Sequence, residues 1–304
     1  MSALLERLAS GEPAIWIETA PPRGVAVESL LKRLEAVAAS IDAINLVDNA
    51  LGRVKMSGLV FAAMLKARTG IAIALNFSCR DRNRFAMKSD LLGAAALGID
   101  GVVALRGDKL ADDAAMGAKQ VHDLDPFSLL AMIADLNRGD TGEGRKLLKT
   151  LPRLVPGAVG NPNRKALDRE LELLDRKAAA GARFVVTQPV FAPEAAHRFL
   201  QHARRAGLHV VLGVLPIKRP AMAQYLKRRI DDLREAHHHF DRYEGMSEAD
   251  ARQASVEQNI ALMRALAGEV AGFNIMSGGG PSLAIELALE WRRQRGSADP
   301  ARGE

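Results

Sequence analysis

The residues of this sequence best suited to chemistry sit in polar clusters placed directly after apolar runs. The first is Asn76-Phe-Ser-Cys-Arg-Asp-Arg-Asn83; another is Arg106-Gly107-Asp108, which closes the run Val102-Val-Ala-Leu105. Charged groups at the ends of buried strands are expensive to hold unless a site uses them. The arrangement recurs along the chain. Glu18 ends Ala14-Ile-Trp-Ile17, Asp48 ends Ala43-Ile-Asn-Leu-Val47, and Asn161 follows the run 153–159. Gln188 follows Phe184-Val-Val-Thr187, and Gly278-Gly279-Gly280 follows Gly272-Phe-Asn-Ile-Met276. Parallel strands closed into a barrel bring all of these ends to one face.

A carboxylate at such a mouth has its pKa raised by desolvation and can act as a general acid near neutral pH. Glu18 fits that role, and Pro21-Pro22 fix the chain beyond it; pairing with Arg23 or Arg53 is the equally open alternative. Arg106-Gly107-Asp108 offers a cation, a residue that permits close backbone approach, and an anion. Such a set suits a ring with several donors and acceptors, a flavin or a pterin, although the triplet is also common in loops. Gln188 can donate and accept at once, as a pterin edge requires, or can make an ordinary strand-end hydrogen bond. His237-His238-His239 are adjacent rather than four apart and have no cysteine nearby, so they read as a solvated loop and not as a metal site. Cys79 reads as a small buried residue rather than a nucleophile.

The elements that must position these groups alternate. Apolar runs of strand length begin near Ala14, Ala43, Ile71, Gly101, Arg153, Phe184, His209 and Gly272, and each is followed by a segment of helical period. The segments are Val27 to Ala39, Ser57 to Arg68, Asn83 to Leu97, Pro126 to Asn137, Arg164 to Ala180, Pro193 to Ala206, Pro220 to Arg229 with Ala249 to Ala267, and Pro281 to Arg293. This alternation predicts an α/β fold, a single-domain (β/α)8 TIM barrel. A doubly wound open sheet is the alternative, weakened because no Gly-x-Gly-x-x-Gly follows the first strand. The expected organisation is an N-terminal segment 1–12, a barrel 13–295 with insertions at 109–125 and 230–248, and a disordered tail 296–304.

Composition narrows the function. No apolar run reaches membrane-span length, and Met1-Ser-Ala-Leu-Leu-Glu-Arg-Leu-Ala9 reads as a short amphipathic segment rather than a secretory signal. One cysteine in 304 residues excludes an internal disulfide framework and suits a reducing cytoplasm. Net charge is +6, which fits Arg-rich helix faces or attraction for an anionic ligand. Aromatic content of 4%, without basic-aromatic interleaving, argues against nucleic acid as a partner.

On its motifs the chain resembles the methylenetetrahydrofolate reductases, from Ile15 to about Leu289. The matching stretches include Glu18-Thr-Ala-Pro-Pro-Arg23, Asn45-Leu-Val-Asp-Asn49 with Arg53-Val-Lys-Met-Ser57, Cys79-Arg-Asp-Arg-Asn83 and Leu91-Leu-Gly-Ala94. They continue through Leu105-Arg-Gly-Asp108, Asp123-Leu-Asp125, Leu136-Asn137, Gly160-Asn-Pro162, Thr187-Gln188-Pro189 and Gly213-Val-Leu-Pro216. The branch it resembles most carries an Asp-x-Asp element in the loop after Arg-Gly-Asp. The resemblance implies a (β/α)8 barrel holding FAD, with hydride passing from NAD(P)H to flavin and on to 5,10-methylenetetrahydrofolate. It implies that Glu18 is the acid that opens the five-membered ring, that Asp108 polarises the folate, and that Gln188 and Asp48 bind substrate. Asn76, Arg106, Gly107, Asn161, Glu170 and Lys177 fall at flavin-contacting positions, Glu170 replacing a usual aspartate.

The chain departs from the family pattern in several places. Asn76 stands for a common histidine, Gly157 for a common tyrosine, and Asn161 for another histidine, as in the Asp-x-Asp branch. After Pro216 a polar insertion replaces the usual Pro-Gly turn, and Ser277-Gly-Gly-Gly280 replaces the usual end of the last strand. The alternatives are direct transfer from NAD(P)H to folate without flavin, and a non-catalytic folate-binding or partner subunit. A corrinoid-type methyltransferase barrel is more remote. A homo-oligomer or a partner flavoprotein fits any of these readings.

Overall fold

A computed structural model describes residues 2–110, 117–142, 144, 146, 149–229, 237–278 and 280–296. Its strands are β1 Ala14–Thr19, β2 Ala43–Leu46, β3 Ala72–Ser78, β4 Gly101–Leu105, β5 Val155–Gly160, β6 Phe184–Pro189, β7 His209–Val214 and β8 Gly272–Ile275. They form one closed barrel in chain order, every neighbouring pair parallel, with β8 returning to β1. The closure establishes the expected TIM barrel and removes the open doubly wound sheet.

The helices are α1 Ala3–Leu8, α2 Glu28–Glu35, α3 Gly58–Thr69, α4 Arg84–Ala96, α5 Pro126–Asn137 and α6 Leu167–Ala179. They continue with α7 Glu194–Arg205, α8 Pro220–Arg229, α9 His237–Asp241, α10 Glu248–Leu266 and α11 Ser282–Gly296. No helix among the described residues is long and apolar enough to cross a membrane.

Alternation along each strand splits the core in two. Ile15, Ile17, Ile44, Ile73, Val102, Val185 and Phe273 face outward and pack with the helices. Ala14, Trp16, Ala43, Ala74, Val103, Phe184 and Val211 face inward and fill the barrel, Trp16 and Phe184 meeting edge to face at 5.6 Å. The N-terminal segment belongs to that inner core. Leu4 and Leu8 of α1 close the barrel floor beside Val155 at the start of β5. Gly101 opens β4 because a Cβ there would lie 2.8 Å from Leu4 Cδ2.

Local chemistry sets the helix starts facing the mouth. Asn83 caps α4, accepting from Ala86 N–H at 2.9 Å, and Asp125 caps α5, accepting from Ser128 N–H at 2.7 Å. Asp123 Oδ2 accepts from Arg84 N–H at 3.1 Å. The Asp-x-Asp element thus pins the loop after β4 to the heads of α4 and α5.

The His-bearing insertion departs from the expected loop. His237–Asp241 form α9, because Phe240 enters a socket with Phe191, Leu226, Tyr243 and Ala254, its ring 4.8 Å from that of Phe191. Of the expected tail 296–304, Gly296 ends α11 and residues 297–304 lie outside the described residues, as do 230–236 of the insertion and 111–116 of the loop after β4.

Candidate active site at the barrel mouth

Inward-facing positions change character toward the C-terminal strand ends. Above Trp16 stands Glu18; above Ala43, Asn45; above Ala74, Asn76. Asn274, on β8 opposite Trp16, is fully buried, and Asn45, opposite Glu18, is nearly so. Glu18 Oε2 accepts from Asn274 Nδ2 at 2.8 Å and from Asn45 Nδ2 at 3.3 Å. Asn45 Nδ2 also lies 3.3 Å from Asn274 Oδ1.

Burial pushes the Glu18 carboxyl up from its ordinary value, and the Asn274 hydrogen bond partly offsets it. The groups balancing this carboxyl are amides, not the Arg23 or Arg53 that the sequence offered as partners. Sequence reading gave no role to Asn45 or Asn274. The available signal was a single amide inside each of the apolar runs Ala43-Ile-Asn-Leu46 and Gly272-Phe-Asn-Ile275.

A second cluster knits the loops after β2, β3 and β4. The Arg80 side chain, 1% exposed, holds Asp81 through two bonds of 2.6 Å and donates to the Asp108 carbonyl at 2.9 Å and the Asn49 carbonyl at 3.4 Å. Asp108 Oδ2 accepts from Leu51 N–H at 2.6 Å, so this exposed carboxylate leans toward the β2 loop. That loop is strained: Asn49 and Leu51 have φ of 43° and 59° without being glycine.

Asp48 is buried, and its Oδ2 accepts from Arg82 at 2.7 Å and from Ser78 N–H at 3.1 Å. This oxygen ties β2 to β3. Gly107 adopts φ +91°, and a Cβ would lie 2.2 Å from Ser78 Oγ, so only glycine fits between Arg106 and Asp108. Cys79 is buried, and burial pushes its thiol up to about 12, which keeps it from acting as a nucleophile.

A third group lines a cavity of 370 Å³ at the ends of β5 and β6, including Asn161, Arg164, Glu170, Lys177 and Gln188. Glu170, 3% exposed, accepts from Lys177 at 3.2 Å, Arg164 at 3.2 Å and Asn161 N–H at 3.3 Å. Lys177 also donates to the Val159 carbonyl at 2.9 Å; burial pulls its ammonium below the usual value, with Glu170 opposing. The pairing of β6 with β7 slips between Val186 and Pro189, and that irregularity leaves Gln188 exposed at the cavity wall. Asn161, Glu170, Lys177 and Gln188 are therefore neighbours around one cavity.

The Asn45 and Asn76 side-chain carbonyls are buried acceptors without a partner among the described residues. A protonatable carboxyl beside such acceptors can deliver a proton to a ring nitrogen while a ring N–H edge satisfies the amides. At Gly157 the barrel interior is tight, a Cβ there falling 2.2 Å from the Phe184 ring.

Comparison with known proteins follows the same lines. The family profile described as methylenetetrahydrofolate reductase matches residues 3–276. A 5,10-methylenetetrahydrofolate reductase of Salmonella typhimurium is 29% identical over 155 residues, 50% of this chain and 47% of that protein. A probable methylenetetrahydrofolate reductase (NADPH) of Caenorhabditis elegans is 27% identical over 167 residues, 54% of this chain and 23% of that protein. The match thus spans less than half the length of either relative. Among solved structures, an uncharacterized Clostridium thermocellum protein that binds two copies of 5-methyl-5,6,7,8-tetrahydrofolic acid superposes with TM-score 0.63 at 15% identity, covering 95% of this chain and 99% of that one. EDTA monooxygenase of Chelativorans superposes with TM-score 0.55 at 13% identity, covering 93% and 94%. At these identities the structural likenesses speak to the barrel alone.

Proposed function

The chain belongs to the methylenetetrahydrofolate reductase family, and on that premise we propose that it interconverts 5,10-methylenetetrahydrofolate and 5-methyltetrahydrofolate by hydride transfer. Glu18 is the observation that carries this reading. Its burial favours the protonated carboxyl, and uncharged amides cradle it at the mouth. Opening the methylene bridge needs a proton on the departing nitrogen, which a carboxyl of raised pKa can supply near neutral pH. In the reverse direction the carboxylate takes that proton back as the ring closes. Gln188 offers a donor and an acceptor to the pterin, and Asp108 stands on the rim to polarise it. Asp48 supports the substrate-facing rim through Arg82 and Ser78.

The residues fit FAD as the resident cofactor. Asn76 Oδ1 is a buried acceptor in want of a donor, and the cavity wall at the ends of β5 and β6 carries the cations that phosphates require, Arg164 and Lys177. We assign Asn76, Arg106, Gly107, Asn161, Glu170 and Lys177 to holding it. When bound, FAD supplies the hydride exchanged with the folate, NAD(P)H being the outside donor or acceptor. We take residues 13–295 as one catalytic unit and place it in the cytoplasm, where the lone Cys79 stays reduced. A second reading, direct transfer from NAD(P)H to folate, is favoured by the Phe184 ring filling the space beside Gly157, where the family commonly has a tyrosine.

An anaerobic visible spectrum of the purified protein, supplied with FAD, separates these readings. A band near about 450 nm that bleaches on adding 5-methyltetrahydrofolate is the expected result. A colourless protein that still turns over folate with NAD(P)H would establish direct transfer instead. Absence of turnover under both conditions would overturn the enzymatic reading.

A further inference from the structure

We infer that Asn274, backed by Asn45, is a positioning residue for Glu18: it commits one carboxyl oxygen to the protein, so that the other carries the acid proton. The inference rests on the reading of Glu18 as proton donor. Oε2 receives N–H bonds from both amides, at 2.8 and 3.3 Å. An oxygen already accepting twice is the poorer seat for a proton, which leaves Oε1 to carry it.

The direction of the amides is itself constrained. Asn45 Nδ2 faces Asn274 Oδ1 at 3.3 Å, so turning over Asn274 alone would set donor against donor. Both amides are shielded from solvent, at 0% and 1% exposure, and both sit on strands that flank β1 on either side. The cluster therefore lies across the seam where β8 closes the barrel on β1, joining residues 256 positions apart. A rigid support of this kind holds a reacting group to the tolerance catalysis requires.

The same contact moderates the proton affinity of Glu18. Burial raises it and the Asn274 bond lowers it, with no charged neighbour in the balance. Among the charged groups of the mouth, Asp48 pairs with Arg82, Asp81 with Arg80, Asp108 with Leu51 N–H and Lys218 with the Gly280 carbonyl. The strands beside β1 meet the carboxyl with amides only. Asn274 thus opposes the upward pull of burial on this acid.

Asn274→Leu removes the donor at nearly constant volume. A carboxyl-carbon NMR titration, with the Glu18 signal assigned by its loss in Glu18→Gln, should place the variant's midpoint about one pH unit above wild type. The alkaline limb of kcat for methylenetetrahydrofolate reduction should move up with it, because the reaction draws on the protonated acid. Its plateau should fall about tenfold or more while KM changes little. Asn274→Gln, which restores an amide, should return the midpoint part of the way. An unmoved midpoint in Asn274→Leu overturns the inference whatever the turnover. A moved midpoint in a protein without folate turnover upholds the contact and overturns the functional reading instead. If Asn274→Leu does not fold, Asn45→Leu applies the same test: a smaller rise is expected, and no rise overturns the inference.

Discussion

Glu18 has opposite consequences for turnover and for stability. Replacing it with glutamine should lower turnover about 10²–10⁴-fold, the usual contribution of a positioned acid. Its folded pKa is raised above 4.5 by burial. Between that value and the raised one the native chain keeps a proton that the unfolded chain has released, so stability falls as pH climbs through the window. Glutamine cannot ionise, and its carbonyl still accepts from Asn274. Calorimetric melting of Glu18→Gln should therefore exceed wild type at about pH 8 and lose that advantage at about pH 4. Equal melting temperatures at both pH values would mean that the carboxyl is not held in a desolvated place. Legibility at this scale was uneven. Glu18, Asp108 and Gln188 stood out because strand ends are easy to find. Asn45 and Asn274 did not, because a single amide in a short apolar run is indistinguishable from an edge position until the register places it opposite a carboxyl.

At the scale of the element, strand β5 shows how a departure from family pattern is coupled to packing. Gly157 leaves room for the Phe184 ring, which in turn stacks edge-on against Trp16. Gly157→Ala should destabilise the fold by about 1–3 kcal/mol by overpacking, measured by denaturant unfolding. Phe184→Leu added to it should recover part of that loss; strict additivity would show that the two positions do not share space. Helix α5 was legible to the residue, Pro126–Asn137, because a capping aspartate and a proline at the first helical position mark its start. Helix α9 was not. Its histidines carry no apolar periodicity, and what orders it is the Phe240 socket, in which Tyr243 and Ala254 meet Phe191 from the distant end of β6.

For the whole molecule, the barrel works as a two-ended vessel with an apolar floor and a polar mouth. Leu4 and Leu8 form the floor with the first inward layer of the strands, 2% and 3% exposed. Leu4→Ala and Leu8→Ala should each cost about 2–5 kcal/mol, read as lowered unfolding midpoints. The Glu18 titration should not move, since the floor lies at the opposite strand ends; a shift would show that the ends are coupled. The barrel class was already written in the chain, because eight short apolar runs alternating with segments of period 3.6 leave few ways to bury strands on both faces. So were the strand ends that carry charge, since each polar residue abuts an apolar run. Tertiary structure alone decided the partners: that Glu18 is held by Asn45 and Asn274, that Asp48 turns to Arg82, and that α1 fills the floor. Those pairings depend on strand register and barrel closure, which join positions hundreds of residues apart and leave no local mark in the chain.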